Sequence, residues 1–383
     1  MRHRIRRRMG RMETAITRRP NDGTPYGARL RKLREMLERT EADAVVVASS
    51  ANLYYFTGVW IDPHERLVAL AVRRDGDPVL VSPDLHRGEL GGVGLDALYW
   101  RDGDDAASLL AGALGAAGTV AVDEAWPSGH LLGLMRHRPN VRWTGGGGLL
   151  GALRRVKDRF ELDLLRESAG AANRVMTSFL RRVRAGAREA ELLDELIALW
   201  RAEGVRELSF DPTVAAGANG ANPHHAPGDA VVRDGDFVVV DTGGKLRHYC
   251  SDMTRTVAVG EPSAEQRDVY ALVKAAQRAG MQAVRPGATL GDVDRAVRGV
   301  IEAGGYGAYF THRTGHGLGI DIHEEPAVQA GNELPIEPGM VFSIEPGVYL
   351  PGKFGVRIED IVIATEDGCE SLNADVTKEL LVL

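Results

Sequence analysis

The sequence predicts two domains that mix helices and strands: an α/β domain over residues 27–150, and an α+β domain over residues 151–383 that contains an internal repeat. Three observations predict this organisation. Helical and strand-like segments alternate through the first domain. Two stretches of the second domain align with each other without a gap, and each is followed by a hairpin-like segment that carries two carboxylates.

The composition is that of a soluble globular protein. The 383 residues are 44% hydrophobic, which is enough for two domains with real cores. A net charge of -6 gives no reason to expect nucleic acid or an anionic membrane as a partner. Cys250 and Cys369 are the only cysteines. Two cysteines are too few for a disulfide framework, and this low number fits a reducing cytosol. No apolar run reaches the roughly 18 residues that span a bilayer, so we expect a cytoplasmic protein.

Residues 1–26 are rich in arginine and are predicted to form a disordered basic tail. No apolar segment follows the arginines, so neither a signal peptide nor a twin-arginine export signal is supported. Attachment to nucleic acid or to a lipid surface is the alternative interpretation. Met9 and Met12 also leave open an internal start of translation.

The first domain begins with a helical pattern over residues 28–36, followed by the strand-like ADAVVVASS. LVALAVRRDGDPVLVSP predicts two strands around a turn, residues 106–117 a helix, and GTVAVDEA another strand. The glycine-rich residues 144–153, TGGGGLLGAL, are predicted to be a flexible junction and place the domain boundary at 150. No Lys-Ser/Thr pair follows these glycines, which excludes a phosphate-binding loop.

The second domain opens with a predicted helix whose apolar residues recur at helical spacing, which is typical of a core-facing side. These residues are Leu162, Leu165, Ala169, Ala172, Met176 and Leu180. Two further helices have capping boxes at their starts, Ser263 with Gln266 and Thr289 with Asp292. We expect these helices to be scaffold.

An internal duplication is visible around two of the helices. VRAGAREAELLDELIALWRAEG, residues 183–204, aligns without a gap on VRPGATLGDVDRAVRGVIEAGG, residues 284–305. Each half then runs into an acid-bearing hairpin. Two such units related by a pseudo-twofold axis would bring four carboxylates to one point between the halves.

The two hairpins are predicted to present facing acids. Folding residues 236–256 at Leu246/Arg247 sets Asp241 opposite Asp252. In the second hairpin, Pro351-Gly352-Lys353 offers a turn, and folding at Gly352 sets Glu345 opposite Glu359.

Facing carboxylates imply a compensating positive charge. Opposed residues lie about 4.5–5.5 Å apart at Cβ, and two like charges at about 4 Å repel by roughly 4 kcal/mol. A cation must lie between them, or one acid must hold a proton. Solvated turn residues are the alternative for either hairpin alone, but the repetition favours metal. Two divalent cations would balance four carboxylates, with manganese preferred over cobalt, iron or zinc. His316, among closely spaced glycines, is the expected imidazole ligand.

Five sequence motifs resemble those of one known family and occur in the same order as in that family: VVVDTGG, YCSDMTRT, HRTGHGLGIDIHEEP, SIEPGVY and GVRIED. The chain from about Arg31 to its end resembles the metal-dependent prolidase and aminopeptidase P family. The resemblance implies a pita-bread catalytic domain behind a creatinase/prolidase-type N-terminal domain. It also implies a dinuclear metal site, in which Asp241 binds one metal, Asp252 and Glu359 bridge, and His316 and Glu345 bind the other.

The resemblance assigns further residues to the site. His224 and His323 fall at the family's substrate-binding histidine positions, whereas the adjacent His225 is expected to point elsewhere. Arg357 shares a strand face with Glu359 and resembles an arginine that steadies a metal-bound carboxylate. Tyr249 matches a family tyrosine.

The activity that the resemblance implies is hydrolysis of Xaa-Pro bonds in proline-containing peptides. A hydroxide held by two metals would attack the carbonyl, and Glu345 or a neighbouring acid would relay the proton. A Xaa-Pro dipeptidase is the first expectation, and a Xaa-Pro aminopeptidase is the alternative. A metal-free binding module of the same fold is the alternative from another class, but such relatives have usually lost ligands. The resemblance also implies a homodimer.

Overall fold

The structure, a computed structural model, describes residues 24–383. Most of the predicted basic tail therefore lies outside the described residues. Its last two positions, Pro25 and Tyr26, belong to the first helix, α1 (Pro25–Leu37), which begins earlier than predicted. The reason is local: the side chain of Thr24 accepts a hydrogen bond from the amide of Gly27, and Pro25 suits the first helical position. The chain divides into two compact units between Leu153 and Arg154.

The first unit is built around a six-stranded mixed sheet with the strand order β4-β3-β2-β1-β5-β6. Its strands are β1 (Ala44–Val47), β2 (Ala69–Arg73), β3 (Val79–Pro83), β4 (Asp96–Trp100), β5 (Thr119–Val122) and β6 (Arg142–Gly145). Its further helices are α2 (Ser50–Thr57), α3 (Arg87–Leu90), α4 (Ala106–Ala113), α5 (Ser128–His137) and α6 (Gly147–Arg155). The alternation of helices and strands confirms the predicted α/β class.

The glycine-rich segment over residues 144–153 is not the flexible junction that its composition predicted. It forms the end of β6 and most of α6. Leu150 and Leu153 are buried, and the amide of Gly146 donates to the carbonyl of Val122. A Cβ on Gly146 would lie 2.9 Å from that carbonyl oxygen, so at this position glycine allows a close backbone approach.

The second unit has four helices, α7 (Arg159–Leu180), α8 (Glu189–Ala202), α9 (Ala264–Ala283) and α10 (Leu290–Ala303). Both predicted capping boxes are present at the starts of α9 and α10. A third, formed by Asp158 and Glu161, begins α7. Most of the predicted apolar side of α7 is buried, and Leu162 is partly exposed.

The strands of the second unit repeat one arrangement. They are β7 (Glu207–Leu208), β8 (Thr213–Ala216), β9 (Phe237–Thr242), β10 (Gly244–Leu246), β11 (Tyr249–Cys250), β12 (Met253–Ala258), β13 (Gly315–Gly317), β14 (Glu324–Val328), β15 (Val341–Ile344), β16 (Gly347–Leu350), β17 (Phe354–Arg357), β18 (Asp360–Ala364) and β19 (Cys369–Ser371). The antiparallel order β8-β9-β12 in the first half recurs as β13-β15-β18 in the second. Each half also carries an outer hairpin, β10/β11 or β16/β17. This topology confirms the internal repeat.

Separate apolar clusters stabilise the two halves. Leu192, Leu196 and Trp200 of α8 pack with Val238 and Val240 of β9 in one cluster. In the other, the apolar side of α10 packs with β15 and β18. The helices therefore cover one side of the strands, which leaves the opposite side free to carry polar groups. Among the residues that the structure describes, no helix is both long enough and apolar enough to cross a membrane.

Candidate metal centre

The first hairpin carries Asp241 near the end of β9 and Asp252 one residue before β12. Asp241 pairs with Thr254, so the prediction that it faces Asp252 directly is wrong. The tight turn consists of Arg247 and His248, whose φ angles are 47° and 68°, one position later than predicted. Because each one-residue shift of the turn moves the pairing by two, Asp252 lies diagonally across from Asp241.

The second hairpin keeps the predicted register. Ile344 pairs with Asp360 in one ladder, and Gly347 pairs with Arg357 in the next. The same register sets Glu345 opposite Glu359 between these ladders. Gly352, in the turn, has a φ of 73°, a left-handed conformation that glycine adopts without strain.

His316 is the central residue of β13 and is buried. Its amide donates to the hydroxyl of Ser343, and its Nδ1 lies 3.1 Å from the carbonyl oxygen of Gly317. These contacts aim Nε2 at the acids, 3.5 Å from Oδ2 of Asp252 and 3.4 Å from Oε1 of Glu345.

All five predicted ligands line one cavity of about 540 Å³. Three of them, Asp252, His316 and Glu359, each offer one ligand atom within 4.8 Å of the other two. These atoms come from both halves of the repeat, as the duplication predicted. Oxygen donors with one imidazole form a donor set that suits divalent cations.

The electrostatics of the centre call for added positive charge. Burial raises the pKa of Asp252 and of Glu359 well above the ordinary range, and the neighbouring carboxylates raise both further. Burial likewise raises the pKa of Glu345 to about 7. Burial, assisted by the nearby His323, lowers the pKa of His316 to about 3, so its ring is neutral and able to donate a lone pair.

Arg357 organises the edge of this centre. Its guanidinium donates to Oδ2 of Asp241 at 2.6 Å, to the hydroxyl of Thr254 at 3.0 Å and to the phenol oxygen of Tyr349 at 2.9 Å. Thr254 in turn donates to Oε2 of Glu359 at 2.6 Å. The second carboxylate oxygen of Asp241, Oδ1, is buried and has no hydrogen-bond partner among the described residues. A cation at this oxygen would satisfy it.

The two predicted substrate histidines also line the cavity. The ring of His323 lies edge-on to that of His316, with the ring centroids 4.4 Å apart. His224 is exposed, in the loop that follows the short 3-10 helix Gly217–Ala221. His225 points elsewhere, as expected, and its Nε2 lies 2.7 Å from a carboxylate oxygen of Glu189.

Sequence reasoning missed His312 and Tyr349. His312 lines the cavity, and its Nε2 lies 2.8 Å from the phenol oxygen of Tyr349. Its only sequence signal is its place in HRTGHGLGIDIHEEP. Tyr249 is fully buried and its phenol donates to Glu161. Tyr349, from SIEPGVY, is the tyrosine that contacts Arg357.

Comparison with protein families gives two matches that divide the chain between them. The model of metallopeptidase family M24 matches residues 163–366, and that of the creatinase/prolidase N-terminal domain matches residues 29–156. Both agree with the resemblance inferred from the five motifs and with the predicted fold class.

Individual relatives are similar over nearly their whole length. A probable dipeptidase, PepE, of Mycobacterium tuberculosis is 41% identical over 346 residues, which cover 88% of this chain and 92% of the relative. The crystal structure of dipeptidase PepE from Mycobacterium ulcerans is 40% identical, with a TM-score of 0.88 over 94% of this chain and 98% of that one. A recombinant prolidase from Thermococcus sibiricus is 36% identical, with a TM-score of 0.89 over 94% of this chain and all of that one.

Proposed function

Because the chain belongs to metallopeptidase family M24, we propose that it hydrolyses Xaa-Pro dipeptides. One observation carries the proposal: five candidate ligands and two candidate substrate histidines surround a single cavity. The three relatives described above, at 36–41% identity, are named dipeptidase and prolidase, which favours a dipeptidase over the aminopeptidase alternative.

In this proposal Asp241, Asp252, His316, Glu345 and Glu359 hold two divalent cations. Three properties of the site support the assignment: the unpartnered Oδ1 of Asp241, the raised pKa values of the other acids, and the neutral ring of His316. Manganese is the first choice for this oxygen-rich donor set, with cobalt, zinc and iron as alternatives. When bound, such a pair supplies a nucleophile at neutral pH and polarises the substrate carbonyl.

The remaining steps fall to side chains of the chain itself. Glu345 lines the cavity and can accept a proton from the nucleophile and deliver it to the departing proline nitrogen. That nitrogen belongs to a tertiary amide and leaves only when protonated. His224 and His323 flank the cavity, where they can donate hydrogen bonds to the carbonyl oxygen as negative charge develops on it. Arg357 donates to Oδ2 of Asp241 and holds this side chain in place.

The experiment that tests the proposal compares three peptides with purified protein: Ala-Pro, Ala-Pro-Ala and Ala-Ala. We expect Ala-Pro to be cleaved with the highest kcat/KM. A preference for Ala-Pro-Ala would favour the aminopeptidase, and cleavage of Ala-Ala at the same rate as Ala-Pro would remove the proline requirement.

Metal analysis separates an enzyme from a metal-free binding module of the same fold. We expect two bound divalent cations per chain, loss of hydrolysis after dialysis against a chelator, and recovery when Mn²⁺ is restored. Full activity in metal-free protein would overturn the assignment.

We further propose a cytoplasmic homodimer. Both cysteines are free thiols in the structure, which fits a reducing compartment. Light scattering coupled to size-exclusion chromatography tests the assembly: twice the chain mass of 41.4 kDa is expected, and a monomer mass would contradict it.

A further inference from the structure

Glu189 is a fully buried carboxylate outside the candidate metal centre. It is the first residue of α8, and its side chain has no solvent exposure. One oxygen accepts from the amide of Ala216 at 2.8 Å and from the side-chain amide of Asn219 at 2.9 Å. The other lies 2.7 Å from Nε2 of His225 and accepts from the amide of Gly228 at 3.1 Å.

This set of contacts favours an ionised Glu189. Burial alone would raise its pKa, but the hydrogen bonds outweigh burial and the pKa lies below the ordinary value. An ionised carboxylate only accepts hydrogen bonds, so Nε2 of His225 carries the hydrogen. If glutamine replaced Glu189, its NH2 group would itself donate hydrogen bonds. It would face at least one of the groups that now donate to Glu189, and that contact would be lost.

All four groups that contact the side chain of Glu189 in the described part of the chain belong to residues 216–228, here named the His224 loop. The loop supplies His224 and Pro223 to the wall of the cavity. It is also tied to Thr213, another cavity residue, whose hydroxyl donates to the carbonyl of His225 at 3.2 Å. Glu189 is therefore the common acceptor that fixes the shape of this loop.

The imidazole of His224 has no anchor of its own. Within the part of the chain that the structure describes, its ring makes no hydrogen bond or ion pair, and only its backbone amide is tied, to Asn222 at 3.1 Å. Its direction into the cavity thus depends on the backbone of the His224 loop. That backbone is held by Glu189.

We infer that Glu189, together with His225, is a positioning residue for the reaction: it sets the place of His224 without touching the substrate. The inference rests on the proposed function, because its readout is the hydrolysis of Ala-Pro. A merely structural role for Glu189 would lower stability or metal content, and its effect would not depend on His224.

The central experiment is a double-mutant cycle with Glu189→Gln and His224→Ala, measured on the metal-loaded protein. Misplacing a substrate-binding group by about 1 Å can cost about 100-fold in rate, so we expect Glu189→Gln to lower kcat/KM by about 10- to 100-fold. In the His224→Ala background the same change should cost less than about 3-fold, because the group that it positions is gone. Metal content should stay at the wild-type value.

Glu191→Gln is the matched control, since it makes the same chemical change two residues along α8. Glu191 is exposed and accepts from the amide of Arg188, which a glutamine oxygen also does. We expect its kcat/KM to stay within about 2-fold of wild type, as for surface substitutions generally.

His225 provides the test if Glu189→Gln does not fold. His225→Ala removes one donor, and His225→Gln restores an amide that can reach the same carboxylate. We expect His225→Ala to lower kcat/KM in a His224-dependent way and His225→Gln to recover part of the loss.

The outcomes separate this inference from the proposed function. Equal losses with and without His224, unchanged kcat/KM in both Glu189→Gln and His225→Ala, or loss of metal in the variants would overturn the positioning role. A wild-type protein that does not cleave Ala-Pro would instead overturn the proposed function.

Discussion

Arg357 and Asp241 belong to different halves of the internal repeat and are joined by a hydrogen bond of 2.6 Å from Nη2 to Oδ2. The same guanidinium also contacts Thr254 and Tyr349. It fixes one oxygen of Asp241 and leaves Oδ1 for another partner. The geometry of the candidate metal centre thus depends on a residue that is not itself a candidate ligand.

Replacing Arg357 by methionine should weaken metal binding. Groups that orient metal ligands typically contribute about 10- to 100-fold in metal affinity, and we expect a loss in this range. Arg357→Lys should not restore it, because one ammonium lacks the planar set of donors that reaches three partners. Metal titration measures the change. Arg295→Met, at an exposed ion pair with Asp292, is the control and should bind metal normally.

Asp252→Asn and Glu359→Gln should each remove bound metal and hydrolysis together. Both side chains are buried at the meeting point of the two halves, and each offers an atom close to His316. Elemental analysis with an Ala-Pro assay checks this, with the exposed Asp367→Asn as control. Unchanged metal content in either variant would show that the bridging assignment is wrong.

The contribution of Glu345 to the stability of metal-free protein should fall as the pH rises from about 5 to 7. Glu345 has a pKa of about 7 in the folded chain against an ordinary value of 4.5, so across this interval the folded state holds a proton that the unfolded state has lost. Each such proton contributes at most about 1.4 kcal/mol per pH unit. Denaturant unfolding at several pH values measures the slope.

Glu345→Gln isolates this contribution, because the glutamine does not titrate: the free energy of unfolding of the parent should fall relative to that of the variant as the pH rises. Added Mn²⁺ should shift the slope of the parent toward positive values, since the cation binds the deprotonated acids. Equal slopes for the parent and the variant in metal-free protein would contradict the raised pKa.

Lys157→Met should destabilise the second unit by about 1–3 kcal/mol, because the buried Glu324 loses one of its two cationic partners and keeps Arg154. Nζ of Lys157 lies 3.0 Å from Glu324, and the lysine side chain has no exposure. Burial alone would raise the pKa of Glu324, but the charges of Arg154 and Lys157 lower it to about 2.

Lys274→Met is the matched substitution at a partly exposed pair with Glu379. It should cost less than about 1 kcal/mol in the same unfolding measurement, as solvated ion pairs do. Equal costs at Lys157 and Lys274 would contradict the argument from burial.

The contrast between the two hairpins shows how far the sequence predicts the site. A Pro-Gly pair marks the second turn, so the positions of Glu345 and Glu359 follow from counting. The first turn consists of Arg247 and His248; arginine does not signal a left-handed conformation, and histidine, although enriched there, adopts it in only a minority of cases. Counting from the sequence therefore gives the wrong register in this hairpin, although it identifies the two acids.

Other errors arose where tertiary contacts override composition. Four consecutive glycines predict a flexible junction, yet α6 begins among them. The helix forms because Leu150 and Leu153 are buried, which stabilises it. His312 and Tyr349 are far apart in sequence, so only the folded chain reveals their contact. The capping boxes, by contrast, depend on neighbours in sequence and were predicted correctly.

The acidic cavity is formed by residues from both repeated halves, so the smallest active piece of the chain must contain both halves. Asp241 and Asp252 come from the first half, whereas His316, Glu345 and Glu359 come from the second. A fragment that ends after α9 would keep two of these groups, and its complement would keep three. Neither piece could assemble the cavity by itself, so fragment complementation, rather than either fragment alone, is the minimum that could restore activity.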